Sequence, residues 1–477
     1  MNHKNAHLEK YPSTPHTRAA FWPLFCLAIV LLQPLGRPLS AADKYWNANS
    51  PAVNAWRNAN WATSPDGAIG ENVATTGDSI FITRSTAQIS LDGIASADFP
   101  TVNGITVSNG SVVTITTVAT GSQTLTVNGA SSGDLTWKSI SAGYTRLILE
   151  GGVAWNGKIT EASTATSGTA NSTNSKEIRI NSQTATSANT KIALNGTGKL
   201  VLNQNTGTVT LGELSGTSSS AEITAINAGG NRAISLVQAT NTTYAGTWTR
   251  GGREWTFTKD GAGRIRFTGA ISAWTSGAQI TGGSVYLNGT VTGISSSSGT
   301  GITVSSGATL GGTGSITLAA DKTIILADGA VLDPGDVNDA GVATTGTLTI
   351  TGTSGAGLVF AGNATIKFNL DGDKIVLVGD SLVGSQTGAG IITFDFTGSS
   401  ASVVGTTIDL IDFGGTTPGI DLSRFAASEG WSGNFLYGGD GNLLQFQVTG
   451  TPIPEPSTVA LIFGLGGAGL FLVFRRR

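Results

Sequence analysis

Glu455 stands between Pro454 and Pro456, followed by Ser457, Thr458, an uncharged apolar run over 459–474, and then Arg475, Arg476 and Arg477. Proline cannot join a regular helix interior, so these residues form a stiff stalk that ends where the apolar run begins. The run holds 16 residues. At about 1.5 Å each it reaches ~24 Å as a helix, a little short of a ~30 Å hydrocarbon core. Positive charge beside a span holds that end on the cytoplasmic side. The pattern therefore offers one carboxylate, Glu455, on an exposed stalk just outside a membrane, with the three arginines as the charge anchor.

This order of parts resembles the PEP-CTERM sorting signal of Gram-negative bacteria, over residues 452–477. The resemblance implies that the span is a temporary inner-membrane anchor. It also implies a partner, an integral-membrane exosortase, that recognises Pro454, Glu455 and Pro456 and processes the chain there. It speaks to destination and leaves the role of the exported body open. The plainer alternative is a permanent C-terminal anchor behind a proline linker.

The other end has the anatomy of a signal peptide over residues 1–42. Lys4, Lys10 and Arg18 make a basic start, residues 19–35 are apolar, and Ser40, Ala41 and Ala42 offer small side chains to a signal peptidase. Cleavage there removes His3, His7, His16 and Cys26, which are all the histidine and cysteine in the chain. Ser-His-Asp and Cys-His catalysis, the usual zinc sites and disulfides are then excluded. Trimming both ends leaves 20 of 27 basic and 28 of 30 acidic residues, a net charge of about −8. No basic stripe remains to hold nucleic acid.

Residues 333–341 (DPGDVNDAG) resemble the start of a calcium loop, with oxygens at alternating positions. Counted from Asp336, the fifth position is Ala340, and the twelfth is Thr347 where a bidentate Glu is needed. A polar turn is the better reading, and the turn at Asp371, Gly372, Asp373 and Lys374 reads the same way. The remaining acids look scattered and turn-bound. Paired carboxylates for glycoside hydrolysis would have to come from remote coils. Neither catalysis nor a metal or cofactor is expected.

These side chains must be positioned by a β scaffold. Helical periodicity is absent, and short alternating segments recur, closed by Gly or Asn-Gly turns. Residues 123–129 (QTLTVNG), 191–196 (KIALNG), 198–203 (GKLVLN), 264–269 (RIRFTG), 283–289 (GSVYLNG), 314–318 (GSITL) and 346–352 (GTLTITG) are examples. Repetition at roughly 20 residues predicts a solenoid whose coils stack at about 4.8 Å around an aliphatic core. A pair of antiparallel sandwiches is the alternative.

Residues 259–270, 280–290 and 304–316 together resemble the autotransporter-associated β-strand repeat, over about 255–352. That family implies a right-handed β-helix at a cell surface. Ile265 and Val285 stand where leucine is usual, and Arg264 and Arg266 occupy the first strand. The C-terminus has no run of amphipathic strands for an outer-membrane barrel.

The expected fold is therefore an all-β, right-handed parallel β-helix between a signal peptide and a single C-terminal transmembrane helix. Trp46, Trp56 and Trp61 read as an N-terminal cap within residues 43–100, with sugar-binding aromatics as the alternative. The β-helix body follows over 101–359 and a Phe-rich β region over 360–450. The sorting signal occupies 451–477. The expected function is structural or adhesive, at the cell surface or in the extracellular polysaccharide matrix. The runner-up is a polysaccharide-binding or polysaccharide-degrading β-helix. Acids or exposed aromatics gathered along one groove would favour the runner-up, and a uniform Thr, Ser and Asn surface the first.

Overall fold

The computed structural model describes residues 42–450, except 47–53, 57–60, 65–73, 85, 92–99, 109–111, 118–120, 141, 173, 227–228, 295–300, 353–356, 380–383, 387–389, 399–403 and 415–419. Ser40 and Ala41, the span 459–474, and Pro454, Glu455, Pro456, Arg475, Arg476 and Arg477 lie outside the described residues. The described residues contain no helix long and apolar enough to cross a membrane.

Alternation sets each strand's two sides. In Gln123–Val127, the side chains of Leu125 and Val127 are buried and those of Thr124 and Thr126 are half-exposed. No such strand can bury its apolar side alone, so coils stack in parallel and cover one another. One internal ladder runs through most of the stack: Leu125, Leu147, Ile178, Leu200, Ile223, Trp248, Ile271, Val291, Ile316, Ile350 and Leu377. All are buried. The molecule is thus an all-β parallel solenoid.

The residues of the expected repeat stack in register. Ile265, Val285, Leu310, Leu332 and Ile366 form a second internal ladder, spaced 20, 25, 22 and 34 residues apart. The longest spacing marks a coil in which extra chain leaves the wall as a hairpin, Asp336–Val337 against Ala343–Thr344.

Both ends turn back antiparallel. At the N-terminal end Trp61–Ala62 pairs antiparallel with Asp43–Trp46. Trp61 meets Trp46 and Trp56 edge-on at 5.0 and 4.9 Å, with all three rings buried. At the other end Thr407–Asp412, Leu443–Gly450 and Ser432–Gly438 form an antiparallel meander. Phe394, Phe396, Phe425, Phe435 and Phe446 pack together beneath it. On the wall where it occurs, the antiparallel return occupies the edge that a further parallel coil would need, which is one way an exposed stack end is blunted.

Buried charges serve the turns. Glu161 accepts from the N–H groups of Ser163 (2.8 Å) and Gly198 (2.9 Å). The Lys259 ammonium donates to the carbonyls of Asp260 (2.7 Å), Gly261 (2.9 Å) and Gly282 (3.3 Å). Burial pushes Glu161 up and Lys259 down to about 8. These groups satisfy turn backbone that a pure aliphatic core would strand.

Candidate functional site

One wall carries a polar ladder on its outer side. Thr243 pairs in register with Arg266, Arg266 with Tyr286, Tyr286 with Gly311, and Gly311 with Asp333. Lys367 follows Ile366, the partner of Leu332, and so stands beside Asp333. Asp395 is the partner of Lys367. Gly311 is required here by space. A Cβ at that position would sit 2.7 Å from Cε1 of Tyr286 and 2.5 Å from the carbonyl of Asp333. Without it, the Tyr286 ring crosses the glycine and its hydroxyl donates to Asp333.

After Asp333 and Pro334 the chain leaves the wall at Gly335, whose φ of 117° suits glycine. The hairpin folds back over coils that came earlier. Arg266 holds it, with Nε donating to Asp336 Oδ1 at 2.9 Å, Nη2 to Asp336 Oδ2, and Nη1 to Asp339 at 3.4 Å. Thr243 donates to Asp339 at 2.6 Å, and Arg264 Nη2 donates to the carbonyl of Asn338. From Asp333 back to Thr243 is four ladder steps, or ~19 Å at the usual strand spacing. Burial pushes the Asp336 carboxyl up, but the hydrogen bonds it accepts from Arg266 and the Arg266 charge outweigh that and hold it below its ordinary value. Donation to the Asp336 carboxylate is the main reason Arg266 is held above its own.

Hairpin and wall enclose a cleft of about 450 Å³, within the ~300–1,000 Å³ of typical small-ligand sites. Arg264, Tyr286, Asp333, Asp336, Lys367, Asn369, Asp373, Asp395 and Thr397 contribute to its lining. Asp373 is 8 % exposed and accepts from the N–H groups of Asn369 (2.7 Å) and Gly346 (2.9 Å). Burial pushes it up to about 6 despite those bonds, and Asp333 adds to the rise. Burial also raises Asp333, against the pull of its Tyr286 hydrogen bond. Burial and the Asp333 charge together push the Tyr286 phenol far up, so it remains a donor at any ordinary pH.

The expectation of scattered, turn-bound acids is corrected. Asp333 and Asp395 lie on strands, and the wall register brings them to one cleft with Asp336 and Asp373. The 333–341 segment is likewise more than a polar turn: Asp333 and Pro334 close the wall strand Ala330–Pro334, and Asp336 and Val337 open a hairpin. Among the described residues no group of three or more His, Cys, Asp or Glu is disposed to hold a metal ion. Two signals could have pointed to the cleft: paired arginines, Arg264 and Arg266, in a strand otherwise apolar, and the long spacing before Ile366.

Of the residues flanking the expected signal cleavage, Ala42 is described. Its N–H donates to Asp78 at 3.0 Å and its carbonyl accepts from Ser79 at 3.0 Å, so the chain is already bound to the stack at that point.

Residues 452–477 match the PEP-CTERM protein-sorting motif. A search of curated proteins finds no significant match to the chain. The sequence thus carries a PEP-CTERM sorting signal, the mark of an exported protein and typical of Gram-negative bacteria, and that signal implies processing by an exosortase. It is attached to a parallel β-solenoid.

Proposed function

We propose that this chain is a structural or adhesive solenoid, delivered by an exosortase system to the cell surface or the extracellular polysaccharide matrix. The observation that carries this reading is the sorting motif at 452–477 behind a long parallel stack. In this reading the signal peptide ends at Ser40, Ala41 and Ala42. Residues 459–474 anchor the precursor transiently in the inner membrane, with Arg475, Arg476 and Arg477 on the cytoplasmic side. The protein is not an enzyme, needs no cofactor and binds no nucleic acid. Residues 43–100 and 360–450 close the two ends of the stack. The repeats over 255–352 belong to the autotransporter-associated type.

Glu455→Ala tests the sorting step in the native host. The apolar run alone governs insertion, so the variant should enter the membrane normally and accumulate there unprocessed. Release at the wild-type rate would reduce the motif to a linker.

The second reading, a polysaccharide-binding or polysaccharide-degrading β-helix, is favoured by one observation: the gathering of Asp333, Asp373 and Asp395 with Lys367 in the hairpin-covered cleft.

A further inference from the structure

The cleft holds side-chain atoms that have no hydrogen-bond partner among the described residues. The side chains of Lys367 and Asp395 make no ion pair or hydrogen bond among the described residues, although the two are register partners on neighbouring strands. Arg264 is 8 % exposed and lines the cleft, and its Nε is buried without an acceptor among the described residues. Buried from solvent, that nitrogen is closed to a ligand as well, which leaves Lys367 and Asp395 as the unpaired charged side chains lining the cleft. Asp336 is different, because Arg266 already engages both of its oxygens.

From these groups we propose that the cleft is a binding site for a short stretch of neutral, hydroxyl-rich glycan. Hydroxyl groups both donate and accept, so one sugar face can satisfy the carboxylate of Asp395 together with the ammonium of Lys367. A polyuronate fits poorly. Its carboxylate would meet Asp333, Asp373 and Asp395, with Lys367 and Arg264 as the cations available to offset them. Like charges brought together in a part-buried cleft are penalised. A flat apolar ligand fits poorly too, since it would leave those charges desolvated without partners. The open run of polar residues on the wall beyond the hairpin, Lys367, Asn369, Asp395 and Thr397, gives a chain-like ligand room to pass out of the cleft.

This inference deepens the polysaccharide-binding reading, and the two can fail separately. Affinity electrophoresis of the full-length protein in mild detergent, in gels containing dextran, mannan, galactan or alginate, measures it directly. Retardation is expected in at least one neutral gel and not in alginate. The paired substitution Lys367→Ala with Asp395→Ala should weaken that retardation at least tenfold. Thr397→Trp keeps every charge while filling the cleft mouth, and should do the same. Thermal melts would confirm that both variants fold, and if the double variant did not, Thr397→Trp alone would decide. Mobility unchanged in every neutral gel, stronger retardation in alginate, or wild-type retardation by the folded variants would overturn the proposal. Any of those results would leave export and matrix localisation untouched. Conversely, glycan binding by a protein found to remain in the inner membrane would uphold the site and sink the delivery reading.

Discussion

The guanidinium of Arg266 reaches the carboxylates of Asp336 and Asp339 and the hydroxyl of Thr243. Both members of its main ion pair have side chains 15 % exposed. Water screens them partly, so Arg266→Ala should cost about 1–3 kcal/mol rather than the larger penalty of a fully buried pair. The loss should be local. Amide exchange across residues 336–344 should accelerate by an order of magnitude or more, with the wall strands unchanged. Unaltered exchange there would mean that the hairpin is held by something else. Asp373 carries a pH signature. Its carboxyl titrates at about 6 in the fold against an ordinary 3.8. Folding therefore favours the protonated acid. That contribution is fully present below about pH 3.8 and is lost as pH rises through about 6. Melting temperatures of the wild type should fall across this window relative to those of Asp373→Asn. Parallel profiles would show that Asp373 titrates normally.

At the scale of elements, the wall strands were legible because alternation and Gly or Asn-Gly closure are local signals. The segment 283–289 yields the strand Ser284–Leu287, and 346–352 yields Thr347–Thr351. The hairpin was not legible as such. Its anchor, Arg266, lies 70 residues before Asp336, and nothing in the local sequence names that partner. For the same reason the calcium-loop comparison stopped at missing ligands, when the aspartates were already committed to an arginine. The cleft acids were hidden by register: Asp333 and Asp395 come together because Leu332 pairs with Ile366 and Lys367 with Asp395. Register can be tested through Leu310, fully buried between Val285 and Leu332 in the inner ladder. Leu310→Asp would bury an unpaired charge and should cost about 4 kcal/mol or more, whereas Leu310→Val should cost about 1. In a stack each coil leans on its neighbours, so the damage should spread to adjacent coils. A Leu310→Asp melt superimposable on wild type would place that side chain outside the core.

At the scale of the whole molecule, export signal and architecture fit one another. A parallel stack with antiparallel returns at both ends is stabilised by packing and strand pairing along its length, and the only cysteine, Cys26, precedes the first strand. Such a body can work outside the cell without disulfides. The C-terminal motif at 452–477 begins just past the last described strand, Leu443–Gly450, so cleavage at the motif would leave the meander whole. The most direct measurement is the intact mass of the protein recovered outside the inner membrane of its native host. The account predicts a species that starts near Asp43 and ends at or close to the Pro454-Glu455-Pro456 motif. A recovered species that still ends in Arg477 would contradict it.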